Sequence, residues 1–208
     1  MIYLLRHGEI EGAGEKRYIG QADVALSETG LCQAKWWRQE LSGIKFERVF
    51  CSDLGRTRET ARIVSGFKPD NICIVPALRE ICLGEWEGRL MADIRMNSPE
   101  LWYRRGENQA KFRPPGGESF SDLYYRVVPA FEKIASEAAG DILITAHAGV
   151  NRMILCHILD MKIADLFRLA QDYGAMNIID LGKDRRQVVA FNIRPDCSPR
   201  GLPQGDFT

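Results

Sequence analysis

The run Ile2-Tyr3-Leu4-Leu5-Arg6-His7-Gly8-Glu9 sets a guanidinium and an imidazole at the end of a short apolar segment. Apolar residues running into a turn-permissive glycine predict a buried strand that ends in a loop. The carboxyl ends of such strands border the crevice where open α/β sheets take ligands. Arginine matches phosphate oxygens in charge and shape, and a neutral imidazole is a nucleophile near pH 7. Together they suggest attack by histidine on a phosphoryl group. Taken alone, Arg6-His7-Gly8 also suits an ordinary polar turn, so the rest of the chain has to decide.

Further blocks follow in order. Ser52-Asp53-Leu54-Gly55-Arg56-Thr57-Arg58-Glu59-Thr60-Ala61 comes after an apolar segment. Leu78-Arg79-Glu80 leads to Gly84-Glu85-Trp86-Glu87-Gly88, and Asp141-Ile142-Leu143-Ile144 leads to Thr145-Ala146-His147-Ala148-Gly149-Val150. This ordered set resembles the histidine phosphatase superfamily, also called the phosphoglycerate mutase-like family, from residue 1 to about residue 160. The resemblance implies a phosphomonoesterase acting through a phosphohistidine, without metal or other cofactor. It implies His7 as nucleophile, Arg6 and Arg56 as the phosphate clamp, and His147 as a donor to the transferring group. The N–H of Ala148, where a helix would start, suits an anion as well. Glu80 matches the group that protonates the leaving oxygen and then activates water.

The sequence also departs from that pattern. Relatives commonly place threonine and then a phosphate-contacting asparagine after Arg-His-Gly-Glu; here Ile10-Glu11-Gly12-Ala13-Gly14 follows. Either that donor is missing or a backbone amide of the glycine-rich turn replaces it. Arg17-Tyr18-Ile19-Gly20-Gln21 does resemble the usual arginine–tyrosine–glycine stretch, which makes Gln21 a candidate contact to phosphate or substrate. The compact length and Pro115-Gly116-Gly117-Glu118-Ser119 resemble the phosphatase branch, including the α-ribazole-5′-phosphate phosphatases of cobalamin biosynthesis. The expected partner is therefore a small phosphorylated metabolite.

Three other readings stay open. Cys51 through Arg56 resembles a cysteine phosphatase loop, but that loop needs five residues between cysteine and arginine and only four stand here. A mutase would return the phosphoryl group to a bound product. A non-catalytic protein would only bind a phosphorylated ligand, which the pair His7 and Glu80 argues against. Arg58 and Arg62 read as solvated helix residues, His157 as a packing or surface residue, and Trp86 as core.

To converge, these blocks need a scaffold. Strands are expected at 2–6, 48–51, 71–75, 141–145, 177–181 and 187–193, alternating with helices from Ser27, over about 54–65, after Ser119 and over 149–159. Leu31, Ala34, Trp37 and Leu41 would share one face of the first helix. Phe120, Leu123, Val127, Phe131 and Ile134 would do so in the third, which Ser119 and Asp122 would cap and Pro129 would kink or restart. This alternation predicts a three-layer α/β/α sandwich around a mostly parallel sheet. Residues 1–197 would form a single domain, with a helical, lid-like insert at about 89–117 and a loose tail at 198–208.

Composition agrees with one globular unit. The 208 residues are 45% hydrophobic, and 28 Lys and Arg balance 28 Asp and Glu, so nothing pulls the chain as a whole toward nucleic acid or a membrane surface. Met1 leads straight into the first strand, and no apolar run approaches the ~20 residues of a membrane span. The cysteines at 32, 51, 73, 82, 156 and 197 form no C-x-x-C pair, and reduced thiols in a cytoplasmic protein are expected. A homodimer is left open.

Overall fold

The structure is a computed structural model that describes residues 1–182 and 186–197. The expected tail, 198–208, lies outside the described residues. Six strands form one sheet: β1 Ile2–Arg6, β2 Phe46–Cys51, β3 Ile72–Ile74, β4 Asp141–Ala146, β5 Met176–Asp180 and β6 Gln187–Ile193. Their order is β3-β2-β4-β1-β5-β6. Neighbours from β3 to β1 are parallel. β5 runs against both β1 and β6, so the sheet is mixed at one edge. The short link between β5 and β6 can join only antiparallel strands, since a parallel pair needs a crossover of a dozen residues or more.

Helices cover both faces, as the alternation of elements predicts. α1 (Glu28–Glu40) and α2 (Gly55–Ser65) lie on one side, with α5 (Phe120–Ser136) and α6 (Ala148–Ile158) on the other. Strand side chains alternate between the two. Tyr3 and Leu5 join Trp37, Ala61 and Val64, whereas Ile2 and Leu4 join Leu123, Val127, Phe131 and Met153. Burial on both sides explains why β1 reads as a continuous apolar run.

Local signals set the helix boundaries. Ser27 accepts from the Gly30 N–H at the start of α1, and Ser119 with Asp122 forms a reciprocal capping box at the start of α5. α5 continues through Pro129 without the expected restart. Pro129 is exposed and Tyr125, four residues earlier, is 75% exposed, so water can take the carbonyl that loses its donor. Residues within the expected insert fold as α3 (Met91–Asn97) and α4 (Pro99–Glu107). They pack through Ile94, Leu101 and Trp102 with Tyr18, Trp86 and Phe112 in a third, smaller apolar cluster. Among the described residues, no helix is long and apolar enough to cross a membrane.

Candidate active site

Strand register assembles the site. Arg6 stands opposite Ala146 in the parallel pair β1–β4, so His7 and His147 leave adjacent strands side by side. Their rings lie 5.1 Å apart, edge to face. Cys51 stands opposite Thr145 in the next pair, which brings Ser52 out of β2 beside them. The blocks that carry chemistry therefore meet at the carboxyl ends of three neighbouring strands.

His7 is 4% exposed. Its Nδ1 lies 2.8 Å from the Gly8 carbonyl. A carbonyl only accepts, so Nδ1 carries the proton and Nε2 keeps an unprotonated lone pair. Arg56 Nε donates to that lone pair at 3.3 Å. Burial, followed by the guanidiniums of Arg6 and Arg56, holds the His7 pKa well below the usual histidine value. The following glycine is required by packing: a Cβ on Gly8 would sit 2.5 Å from the Gly30 carbonyl oxygen of α1.

Backbone carbonyls aim both arginines. Arg56 donates to Ala22 O at 2.7 Å and to Gly20 O at 2.5 Å. The loop that supplies those carbonyls is held by Glu87, whose carboxylate accepts from the N–H groups of Gly20 (2.6 Å), Gln21 (3.1 Å) and Ala22 (3.1 Å). Arg6 donates to Gln171 O at 2.6 Å, and its guanidinium carbon lies 3.6 Å from the centroid of the Tyr173 ring. Behind it, the side chains of Gln171 and Asn177 exchange two hydrogen bonds of 3.0 Å. Burial lowers the pKa of both guanidiniums. Arginine starts so high that both stay cationic. Arg6 Nε is buried without a partner among the described residues.

His147 is fully buried, and its Nε2 lies 2.8 Å from Ser52 Oγ. Its Nδ1 is buried and has no partner among the described residues. Burial, then His7, Arg56 and Arg6, hold this ring well below the usual histidine pKa as well. The Glu80 carboxylate accepts from the Ile81 N–H at 2.9 Å and from the Gly149 N–H, in the first turn of α6, at 3.0 Å. A Cβ on Gly149 would overlap that carboxylate, so the glycine makes room for the acid. Arg126 clamps the Glu80 loop, donating to Ala77 O (2.9 Å), Arg79 O (2.8 Å) and Glu80 O (3.0 Å). Glu118 holds Arg126 through bonds of 2.9 and 2.7 Å and also accepts from the Cys82 N–H.

A cavity of about 350 Å³ borders this constellation at Arg6, Glu80 and Tyr173. Arg6, Glu80 and Ala148 supply polar contacts, while Ile10, Trp86, Phe112, Phe167 and Tyr173 give it an apolar, largely aromatic wall. Trp86 is thus core, at 2% exposed, and still borders the cavity. Met91 of α3 and Arg105 of α4 also line it.

The remaining candidates fall in several places. Gln21 reaches the site through the Glu80 loop, its Nε2 donating to the Glu80 carbonyl at 3.0 Å. In the turn that stands where relatives have asparagine, the amides of Glu11, Ala13 and Glu15 are already bonded to neighbouring carbonyls. Arg62 pairs with Glu59 on the surface and Arg58 is exposed, as ordinary helix residues. His157 bonds Tyr124 and Glu132 between α5 and α6. Cys51 is fully buried in the sheet, and burial pushes its thiol up to about 12, which suits packing and not a thiolate nucleophile.

Several residues that build the site had no role in the sequence reading. Ser52, Glu87 and Glu118 lie inside blocks already singled out, but only the fold reveals their partners. Tyr173 and Gln171 carry no local signal; they meet Arg6 from more than 160 residues away.

The chain is similar to known proteins over nearly its whole length. Over 199 residues the chain is 32% identical to a protein of Salmonella typhimurium named adenosylcobalamin/alpha-ribazole phosphatase, covering 95% of this chain and 98% of that one. It is 28% identical to phosphoserine phosphatase 1 of Hydrogenobacter thermophilus, over 92% of each. Among solved structures, the alpha-ribazole phosphatase from Shigella flexneri superposes with a TM-score of 0.86 at 27% identity, over 93% of this chain and 96% of that one. The sequence profile of the histidine phosphatase superfamily (branch 1) matches residues 2–194, and the chain belongs to that family. The phosphatase class expected from the sequence stands with it.

Proposed function

We propose that the protein is a metal-independent phosphomonoesterase for a small metabolite, with α-ribazole 5′-phosphate the leading candidate, and that His7 is its nucleophile. The observation that carries this reading is the tautomer of His7. Its Nδ1–H is committed to the Gly8 carbonyl, so Nε2 is unprotonated and its lone pair meets Arg56 Nε at 3.3 Å. In the first half-reaction Nε2 attacks phosphorus, the P–O ester bond breaks, and Glu80 protonates the leaving oxygen. Arg6 and Arg56 neutralise the equatorial oxygens as charge builds on them, and His147 donates a hydrogen bond to them. In the second, water attacks the phosphohistidine, Glu80 takes its proton, and phosphate departs. The Ala148 N–H at the start of α6 adds a donor to the anion site. Gln21 acts through the Glu80 loop that it bonds.

The aromatic wall supports the substrate assignment, because a ribonucleotide with a flat aromatic base can stack there. α3 and α4 would then serve as a lid over the base.

The test is phosphate release from a panel of phosphorylated metabolites, α-ribazole 5′-phosphate included, in excess chelator. The expected result is turnover that survives chelation and falls roughly a thousandfold or more in His7→Ala. No release from any member, or full activity in the variant, would overturn the reading. Turnover that requires a bisphosphate primer would replace it with a mutase.

A further inference from the structure

We propose that Ser52 is a positioning residue that donates its hydroxyl hydrogen to His147 Nε2 and thereby keeps His147 in the Nδ1–H form, with that N–H presented to the transferring phosphoryl group. The last clause rests on the phosphatase reading; the tautomer itself does not.

The argument is an accounting of protons. Ser52 Oγ is fully buried and has neighbours on three sides: Thr57 Oγ1 at 2.7 Å, His147 Nε2 at 2.8 Å and the Leu54 N–H at 3.4 Å. The amide can only donate, so it fills part of the acceptor capacity of Ser52. Thr57 has one hydrogen and three oxygens within reach: Ser52 Oγ, Leu54 O at 2.9 Å and Ser52 O at 3.1 Å. The Leu54 carbonyl already accepts the amides of Thr57 and Arg58 at the start of α2. The shortest contact, to Ser52 Oγ, then takes the threonine hydrogen. With the threonine hydrogen on Ser52 Oγ, the hydrogen of Ser52 is directed to His147 Nε2 at 2.8 Å.

The other end of the imidazole completes the case. Nδ1 is buried without a partner among the described residues, in a ring that lies 5.1 Å from the His7 ring. Arg6 and Arg56 make this an anion site. A bare lone pair at Nδ1 would repel a phosphate oxygen, whereas an N–H would bind it. The relay Thr57 O–H, Ser52 O–H, His147 Nε2 delivers that N–H without charging the ring.

The chain has three histidines, so their ring nitrogens can be resolved by ¹⁵N NMR of histidine-labelled protein, with His157→Gln completing the assignment. At pH 7.5 wild-type His147 is expected to give a pyrrole-type Nδ1 and a pyridine-type Nε2. Ser52→Ala should lose that pattern and lower kcat at least about tenfold, because a misplaced tautomer disables a histidine without removing it. KM should stay within about threefold, because the two arginines that hold the ground-state dianion are untouched. A pyridine-type Nδ1 in the wild type would overturn the proposal, and this measurement depends on no variant folding. An unchanged His147 pattern in Ser52→Ala would overturn it too, even if activity fell. The expected pattern in a protein that releases no phosphate would support the role of Ser52 while refuting the phosphatase reading.

Discussion

At the scale of the residue, burial and charge act on His7 in the same direction. Removal from water disfavours the imidazolium, and two guanidiniums repel it. The folded His7 ring is therefore still neutral below about pH 6.5, where a free histidine is already half protonated. This predicts the pH–rate profile. With p-nitrophenyl phosphate, whose leaving group needs little protonation, kcat/KM should hold its plateau through pH 6.5 and decline only below it. An acid limb with its midpoint at or above that value would contradict the environment described for His7.

At the scale of the element, loops rather than helices carry the positioning, and two of them are fixed by a carboxylate. Glu87 gathers three consecutive amides so that the carbonyls of Gly20 and Ala22 can orient Arg56. Glu118 holds Arg126, which in turn grips the carbonyls around Glu80. A carboxylate can accept from several N–H groups at once; a primary amide offers one oxygen and turns its own donors toward the rest. Glu87→Gln should therefore loosen Arg56. A hydrogen bond to a charged group contributes about 1.5–3 kcal/mol, so the inhibition constant for inorganic phosphate should rise about tenfold or more. Unchanged phosphate affinity would mean that Arg56 is held by other means.

At the scale of the whole molecule, the same two histidines set an acid limit to stability. His7 and His147 are neutral in the folded protein and free to protonate once unfolded. Their folded pKa values are lowered, so the unfolded chain binds more protons below about pH 6.5, and stability falls as pH falls from there. Two such groups give a limiting slope of about 2.7 kcal/mol per pH unit. Urea unfolding between about pH 6.5 and 5 should reveal it, above the range where most carboxylates titrate. Replacing one of the two, as in His147→Asn, should halve the slope. A flat profile across that window would show that the rings are not held neutral by the fold.

Much of the scaffold was legible from local chemistry. The apolar run ending at Arg6, the Ser119–Asp122 cap and the apolar face of Leu123, Val127, Phe131 and Ile134 each announced an element where one stands. Pro129 left a kink or a restart open, and α5 runs through it without a restart. The blocks around His7, Arg56 and His147 were equally plain, because each lies at the end of a strand or the start of a helix, whereas Glu80 stands in a loop. What no local pattern contains is partnership across the sheet. The register of Arg6 against Ala146 brings the two histidines together, and the next register sets Ser52 against His147. Tyr173 and Gln171 reach Arg6 only because β5 lies beside β1. The sequence by itself determined which groups have the chemistry to act on a phosphate, since that follows from side-chain type. Tertiary structure alone decided which proton each group holds and who holds it there, since those depend on distances of about 3 Å between residues far apart in the chain.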